Sequence, residues 1–303
     1  MDSELPPSDI DDTIYLHYNY TGRQLIRYTS DVTTMLILGC FICAFILISN
    51  IFIFVAICKI SKSNKMYMML SNLSTCDFLT GVTFFINLVV VCNKGIMYTS
   101  HLWLLSKSSM FVMLGSSMFN LVNIAVERYQ AVSKTRIYST DVTCFDYAVI
   151  VTCWSLSFII GCLPMLGWNC IDDLPACSTI FPLYTKSYLV LYILIFVSCL
   201  SLTILIYVKI YLAAHNSAKK LKIKNLKNSA LLRTIIITLS GFIGCWIPIF
   251  ILFLVDVICE PHKCNILYHD KWFISMSLLN PVINPIIYIA TCKEISDTLC
   301  FKK

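Results

Sequence analysis

The residues able to do chemistry in this chain lie mostly inside apolar runs. Glu127, Arg128 and Tyr129 close the segment SMFNLVNIAVERYQAVSK, Asp77 interrupts SNLSTCDFLTGV, and Asn50 interrupts ILISNIFIF. Further along, Trp246 and Pro248 stand in CWIP, and Asn284, Pro285 and Tyr288 in NPIIY. An acid or arginine held in hydrocarbon is expensive and reads as functional, and proline in a helix makes a kink that can serve as a hinge. Catalysis is not what this set suggests. The histidines at 17, 101, 215, 262 and 269 fall in loops or near the ends of apolar runs, so no cluster of nucleophile, base and metal ligand forms. The expectation is a protein that is not an enzyme, with no metal centre and no cofactor. Of the 16 cysteines most lie in apolar runs and read as small hydrophobes. Cys170 and Cys177 share one polar stretch, and Cys259 and Cys264 share another.

The elements that must position these residues are helices in a membrane. The 303 residues are 58% hydrophobic and 13% charged, against about 25% charged in soluble proteins. Their mean hydropathy is +0.77. Seven apolar stretches, near 33–58, 67–92, 103–126, 147–167, 184–208, 234–258 and 272–291, each reach the roughly 20 residues a spanning helix needs. With the amino terminus outside, sixteen of the 23 Lys and Arg fall on the cytoplasmic side and eleven of the 17 acids fall outside, as the positive-inside rule requires. The net charge of +6 follows from this sidedness and carries no nucleic-acid signal. Residues 1–32 are polar, without the apolar core of a cleavable leader, so the first span is expected to act as the targeting signal. A transporter would show repeated, interrupted helices in two halves, and no such symmetry is visible.

Seven spans with these motifs in this order resemble the rhodopsin-like (class A) G-protein-coupled receptors. The resemblance implies an all-α membrane protein: a seven-transmembrane helix bundle with a short amphipathic eighth helix in IATCKEISDTLCFKK. It divides the chain into an extracellular cap (1–32), a receptor domain (33–291) and a short cytoplasmic tail (292–303), in the plasma membrane. Glu127-Arg128-Tyr129 matches the family motif whose arginine meets a heterotrimeric G protein. Asp77, Ser117, Asn280 and Asn284 match a pocket that holds an allosteric sodium ion. Phe242 and Trp246 match the aromatic switch, with Pro248 and Pro285 as hinges, and Tyr207 and Tyr288 match the tyrosines that move on activation. No acid stands near Asn228, where many receptors pair the arginine, so the inactive latch is expected to be weak.

Three stretches look like the sphingosine-1-phosphate receptors of the lysophospholipid branch: HYNYTGR at 17–23, LPMLGWNCIDDLPACSTIFPLY at 163–184, and FIGCWIPIFILFLVDVICEPHKC at 242–264. That branch uses disulfides within loops, which implies Cys170–Cys177 and Cys259–Cys264; residues 102–110 hold no cysteine for a bridge to the third span. The implied head-group contacts are Tyr18, Arg23 and Asn87, with Met110, Phe111, Leu114, Ile249, Phe250, Phe253 and Ile274 around the lipid tail. The departure is on the third span. WLLSKSSMFV places Ser106 and Lys107 where the branch carries an arginine and a glutamate. A zwitterionic lipid there loses the counter-ion of its ammonium, so the expectation is weak or absent response to sphingosine 1-phosphate, with either substantial basal activity or a preference for an anionic lysolipid. The alternative is a constitutively active or orphan receptor, of the kind a virus captures from a host, that no longer needs this lipid. Asn19 in NYT is a glycosylation sequon, and Cys300 beside Lys302 and Lys303 is a palmitoylation candidate. The segment after Tyr288 has no serine–threonine cluster, which argues against arrestin coupling, and the basic 209–233 run suits anionic membrane lipid.

Overall fold

A computed structural model describes residues 12–22, 30–60, 64–92, 99–133, 141–221 and 226–299. In order these form α1 (Asp12–Thr21), α2 (Ser30–Ile60), α3 (Lys65–Cys92), α4 (Ser100–Ser133), α5 (Cys144–Cys162), α6 (Lys186–Leu221), α7 (Leu226–Ile258), α8 (Asp270–Ser277), α9 (Leu279–Thr291) and α10 (Lys293–Leu299). Among the described residues seven stretches are long and apolar enough to cross a bilayer, from Thr33–Ile60 to Asn265–Thr291. Helices suit this role because lipid offers no partner to a backbone N–H or C=O. Arg23 and Cys300 lie outside the described residues, as does the side chain of Asn228.

The third span is the pillar. Its most apolar window is 61% buried, against 17% for the fourth span, which turns Phe145, Val151 and Phe158 outward. Third and fourth spans meet closely because one is backbone only at the contact. A Cβ on Gly161 would lie 2.5 Å from the Val112 side chain and 2.7 Å from its nitrogen. The seventh span breaks at Leu278, between α8 and α9. Pro281 cannot donate to the carbonyl of Ser277 and its ring crowds that oxygen.

One feature, at the end expected to face outward, goes beyond the sequence reading. The outer cap contains the amphipathic helix α1, which buries Ile14, His17, Tyr18 and Thr21, the i, i+3, i+4, i+7 face of a helix. On the inner side the basic run extends the fifth and sixth helices, to Leu221 and from Leu226. There α10 tucks the fully buried Ile295 beside Ile53, Ile57 and Tyr288.

Candidate functional site

A cavity of about 540 Å³ opens in the outer half, between the cap and the first, second, third and seventh spans. Tyr18, Asn87, Lys107, Met110 and Ile274 line it. Asn87 organises one wall: its Oδ1 accepts from Lys107 Nζ at 2.9 Å and from Ser106 Oγ at 2.7 Å. Its Nδ2 donates to the carbonyls of Thr83 at 2.9 Å and Ser106 at 3.1 Å. The ammonium of Lys107 also sits 4.3 Å from the centre of the Trp103 ring, a cation–π contact. Lys107 therefore faces the cavity held from two sides. Ser106 spends its hydroxyl on Asn87 and is absent from the wall. Two further charged residues in that wall, Asp270 and Lys271, escaped sequence reading, because a charge at the outer end of a span looks like an ordinary loop charge.

Below lies a smaller pocket of about 40 Å³, sharing Phe84, Met110, Phe181 and Ile274 with the cavity above. Phe111, Leu114, Ile249, Phe253 and Trp246 line it. Phe250 lies outside both walls: its ring stacks on Phe196 with centroids 3.8 Å apart. Phe181, from the second outer loop, stands between the two chambers with its ring 5.3 Å from Phe111 and 5.8 Å from Phe253.

The outer loops are fastened without a bridge to the third span. Cys170–Cys177 and Cys259–Cys264 are disulfides, with Cα atoms 5.5 and 6.2 Å apart. Loop two reaches the third span by hydrogen bonds: Trp103 Nε1 donates to Pro182 O at 3.3 Å, and Tyr184 OH donates to Leu104 O at 3.3 Å. Burial pushes the Tyr184 hydroxyl well above the ordinary tyrosine range, so it keeps its proton. Tyr192 OH donates to Phe111 O at 2.9 Å. On the sixth span the buried Asp256 accepts from Ser178 Oγ at 2.6 Å and from the Thr179 N–H at 2.9 Å. His17 Nε2 lies 2.9 Å from Ser178 O, tying α1 to the same loop. Tyr268 OH donates to Thr21 O at 2.7 Å. Asn19 is exposed on α1.

In the inner half, Asn284 Nδ2 donates to Asp77 Oδ2 at 2.8 Å. Asp77 Oδ1, Asn50 Oδ1, Ser74 Oγ and Tyr288 OH are buried without a partner among the described residues. Ser117 Oγ lies 3.5 Å from Cys76 Sγ, and Asn280 is buried about one helical turn before Asn284. Phe242 and Trp246 have ring centres 6.1 Å apart, and Phe242 stacks toward Phe196 at 6.3 Å. At the far end of the bundle Arg128 Nε lies 3.3 Å from the carboxylate of Glu127, which is buried while the arginine is partly exposed. Tyr129 packs on a cluster of Ala125, Ile206, Tyr207 and Ile210, so the motif and Tyr207 meet. Two contacts the sequence did not suggest brace this end. Lys65 pairs with Asp146 at 3.1 Å, and Tyr67 OH donates to Glu294 of α10.

Residues 49–288 match the 7 transmembrane receptor (rhodopsin family) description. The chain is 41% identical to sphingosine 1-phosphate receptor 3 of Takifugu rubripes over 295 residues, covering 94% of this chain and 76% of that one. It is 35% identical to sphingosine 1-phosphate receptor 1 of Danio rerio over 298 residues, covering 94% and 82%. With sphingosine 1-phosphate receptor 2 of Homo sapiens it shares 37% identity over 276 residues, covering 90% and 77%.

Proposed function

Since the chain belongs to the rhodopsin family of seven-transmembrane receptors and, within it, to the sphingosine 1-phosphate receptors, we propose that it passes the signal of an extracellular phosphate-bearing lysolipid to heterotrimeric G proteins. It is a multi-pass plasma-membrane receptor and not an enzyme. The observation that carries the ligand reading is the outer cavity with Lys107 in its wall, continuing inward to a pocket floored by Trp246. Lys107 pairs with the phosphate, with Asn87 and Tyr18 beside it, and the acyl or sphingoid chain follows Met110 and Ile274 toward the aromatic switch. Charge-assisted hydrogen bonds at a desolvated site are the strong ones. The amino terminus faces outward, on the distribution of Lys and Arg.

The inner half supports the coupling role. Arg128 is partly exposed and paired with its own neighbour, so a G-protein element can reach it without dismantling a buried network. A sodium ion suits Asp77, because its Oδ1 is buried without a partner among the described residues, and hard cations take oxygen ligands. A bound ion would hold the Asp77 charge in the bundle interior. Asn284, which donates to the other carboxylate oxygen, keeps that carboxylate oriented.

One observation favours the second reading, a receptor active without lipid. Phe181 of loop two already fills the junction above the switch, against Phe111 and Phe253, where a ligand tail would press. Dose–response curves for sphingosine 1-phosphate and lysophosphatidic acid on cells expressing the chain, with basal signalling read beside untransfected cells, test both. A saturable response to either lipid is expected. High basal signalling that neither lipid changes would leave only the second reading.

A further inference from the structure

The outer end of the seventh span carries a charge that the lost third-span carboxylate makes meaningful. Asp270 heads α8 and is 6% exposed, yet it lines the outer cavity together with Ile274 and Leu278. Asp270, Lys271, Ile274 and Ser275 of α8, with Leu278 just past its end, line the cavity, the spacing of one helix face. An acid in the first turn of a helix also suits the helix dipole, but that role needs neither burial nor a place in the wall. Among the described residues lining the cavity Asp270 is the one acid, and Lys107 reaches the same space from a different span.

We propose that Asp270 is the counter-ion for the ammonium of a zwitterionic phospholipid head group whose phosphate pairs with Lys107; this rests on the lysophospholipid reading above. The cavity then offers Lys107 on the third span and, on the seventh, the buried Asp270 with the exposed Lys271 beside it. The ammonium is kept from Lys107, where like charges in a partly desolvated site repel, and is drawn toward the seventh span. Ser106, turned onto Asn87, takes no part. The sequence at 106–107 alone predicts weak response to an amine-bearing lipid. With the carboxylate supplied by α8, discrimination between sphingosine 1-phosphate and a lysolipid without an amine passes from the third span to the seventh.

The test compares the full chain with Asp270→Asn, Asp270→Glu and Lys107→Gln in cells, using sphingosine 1-phosphate and lysophosphatidic acid as probes and epitope staining for surface level. Loss of one charge-assisted partner corresponds to a potency loss of about tenfold to a hundredfold. Asp270→Asn is expected to lose that much toward sphingosine 1-phosphate and none toward lysophosphatidic acid. Asp270→Glu is expected to retain most of the potency, and Lys107→Gln to weaken both lipids. Equal shifts for both lipids in Asp270→Asn, or no shift for sphingosine 1-phosphate, would overturn the assignment. A parent chain answering lysophosphatidic acid but not sphingosine 1-phosphate overturns the inference alone. A parent answering neither contradicts the lysophospholipid reading itself, and the inference falls with it.

Discussion

The two ends of the bundle handle their buried acids in opposite ways. Near the outer face, both carboxylate oxygens of Asp256 are taken by loop two, Ser178 is tied in turn to His17, and two disulfides close the loops. Deeper in, toward Arg128, Asp77, Asn50, Ser74 and Tyr288 each keep an atom without a partner among the described residues. A buried carboxylate satisfied at both oxygens favours one arrangement. Groups with unused hydrogen-bonding capacity suit an element that must hold two, which is the requirement for switching. The outer half therefore reads as a preorganised holder and the inner half as the moving part.

If that contrast is right, substitutions in the two halves should fail differently. Asp256→Ala strands the Ser178 hydroxyl and the Thr179 N–H, at about 1–3 kcal/mol for each buried donor left unpaired. It should lower the melting temperature of the solubilised protein most and reduce surface expression. Gly161→Ala forces a methyl against Val112, and overpacking of this kind costs about 1–3 kcal/mol. Its effect, read in the same thermal assay, should fall on stability in both ligand-free and ligand-bound protein. Replacing Cys259 and Cys264 together by Ser should cost about 2 kcal/mol, the chain-entropy value for so short a loop. Non-reducing peptide mapping that found those thiols free, or joined to loop two, would contradict the pairing. Asp77→Asn should move the melting temperature least, since the amide oxygen it introduces still offers Asn284 an acceptor, while altering basal signalling and its dependence on sodium. A large loss of stability in Asp77→Asn would break the contrast.

Much of the fold was legible because a bilayer makes length and hydropathy decisive. The apolar runs become spans, and the basic run after Tyr207 becomes helical extensions of the fifth and sixth. The cysteine pairings came from the resemblance to the lysophospholipid branch, since four loop cysteines alone allow three connectivities. The cap helix was missed although Ile14, His17, Tyr18 and Thr21 carry its period, because the acids around it dominate the local composition. Asp256 and Asp270 were missed for a different reason. Their partners or neighbours come from loop two and the third span, far away in sequence, and nothing local marks a span-end acid as buried. Phe250 illustrates the limit of periodicity: it shares an apolar helix with Ile249 and Phe253, but its ring turns to Phe196 and leaves the pocket wall.

The central claim is that Arg128, at the inner end of the pillar, transmits what the outer cavity senses. Guanine-nucleotide exchange on a purified heterotrimeric G protein, driven by the reconstituted full chain with and without lysophospholipid, measures this directly when run beside Arg128→Ala. The expected result is exchange by the parent chain and its loss in Arg128→Ala, with both proteins folded to the same melting temperature. Undiminished exchange by a well-folded Arg128→Ala would contradict the account.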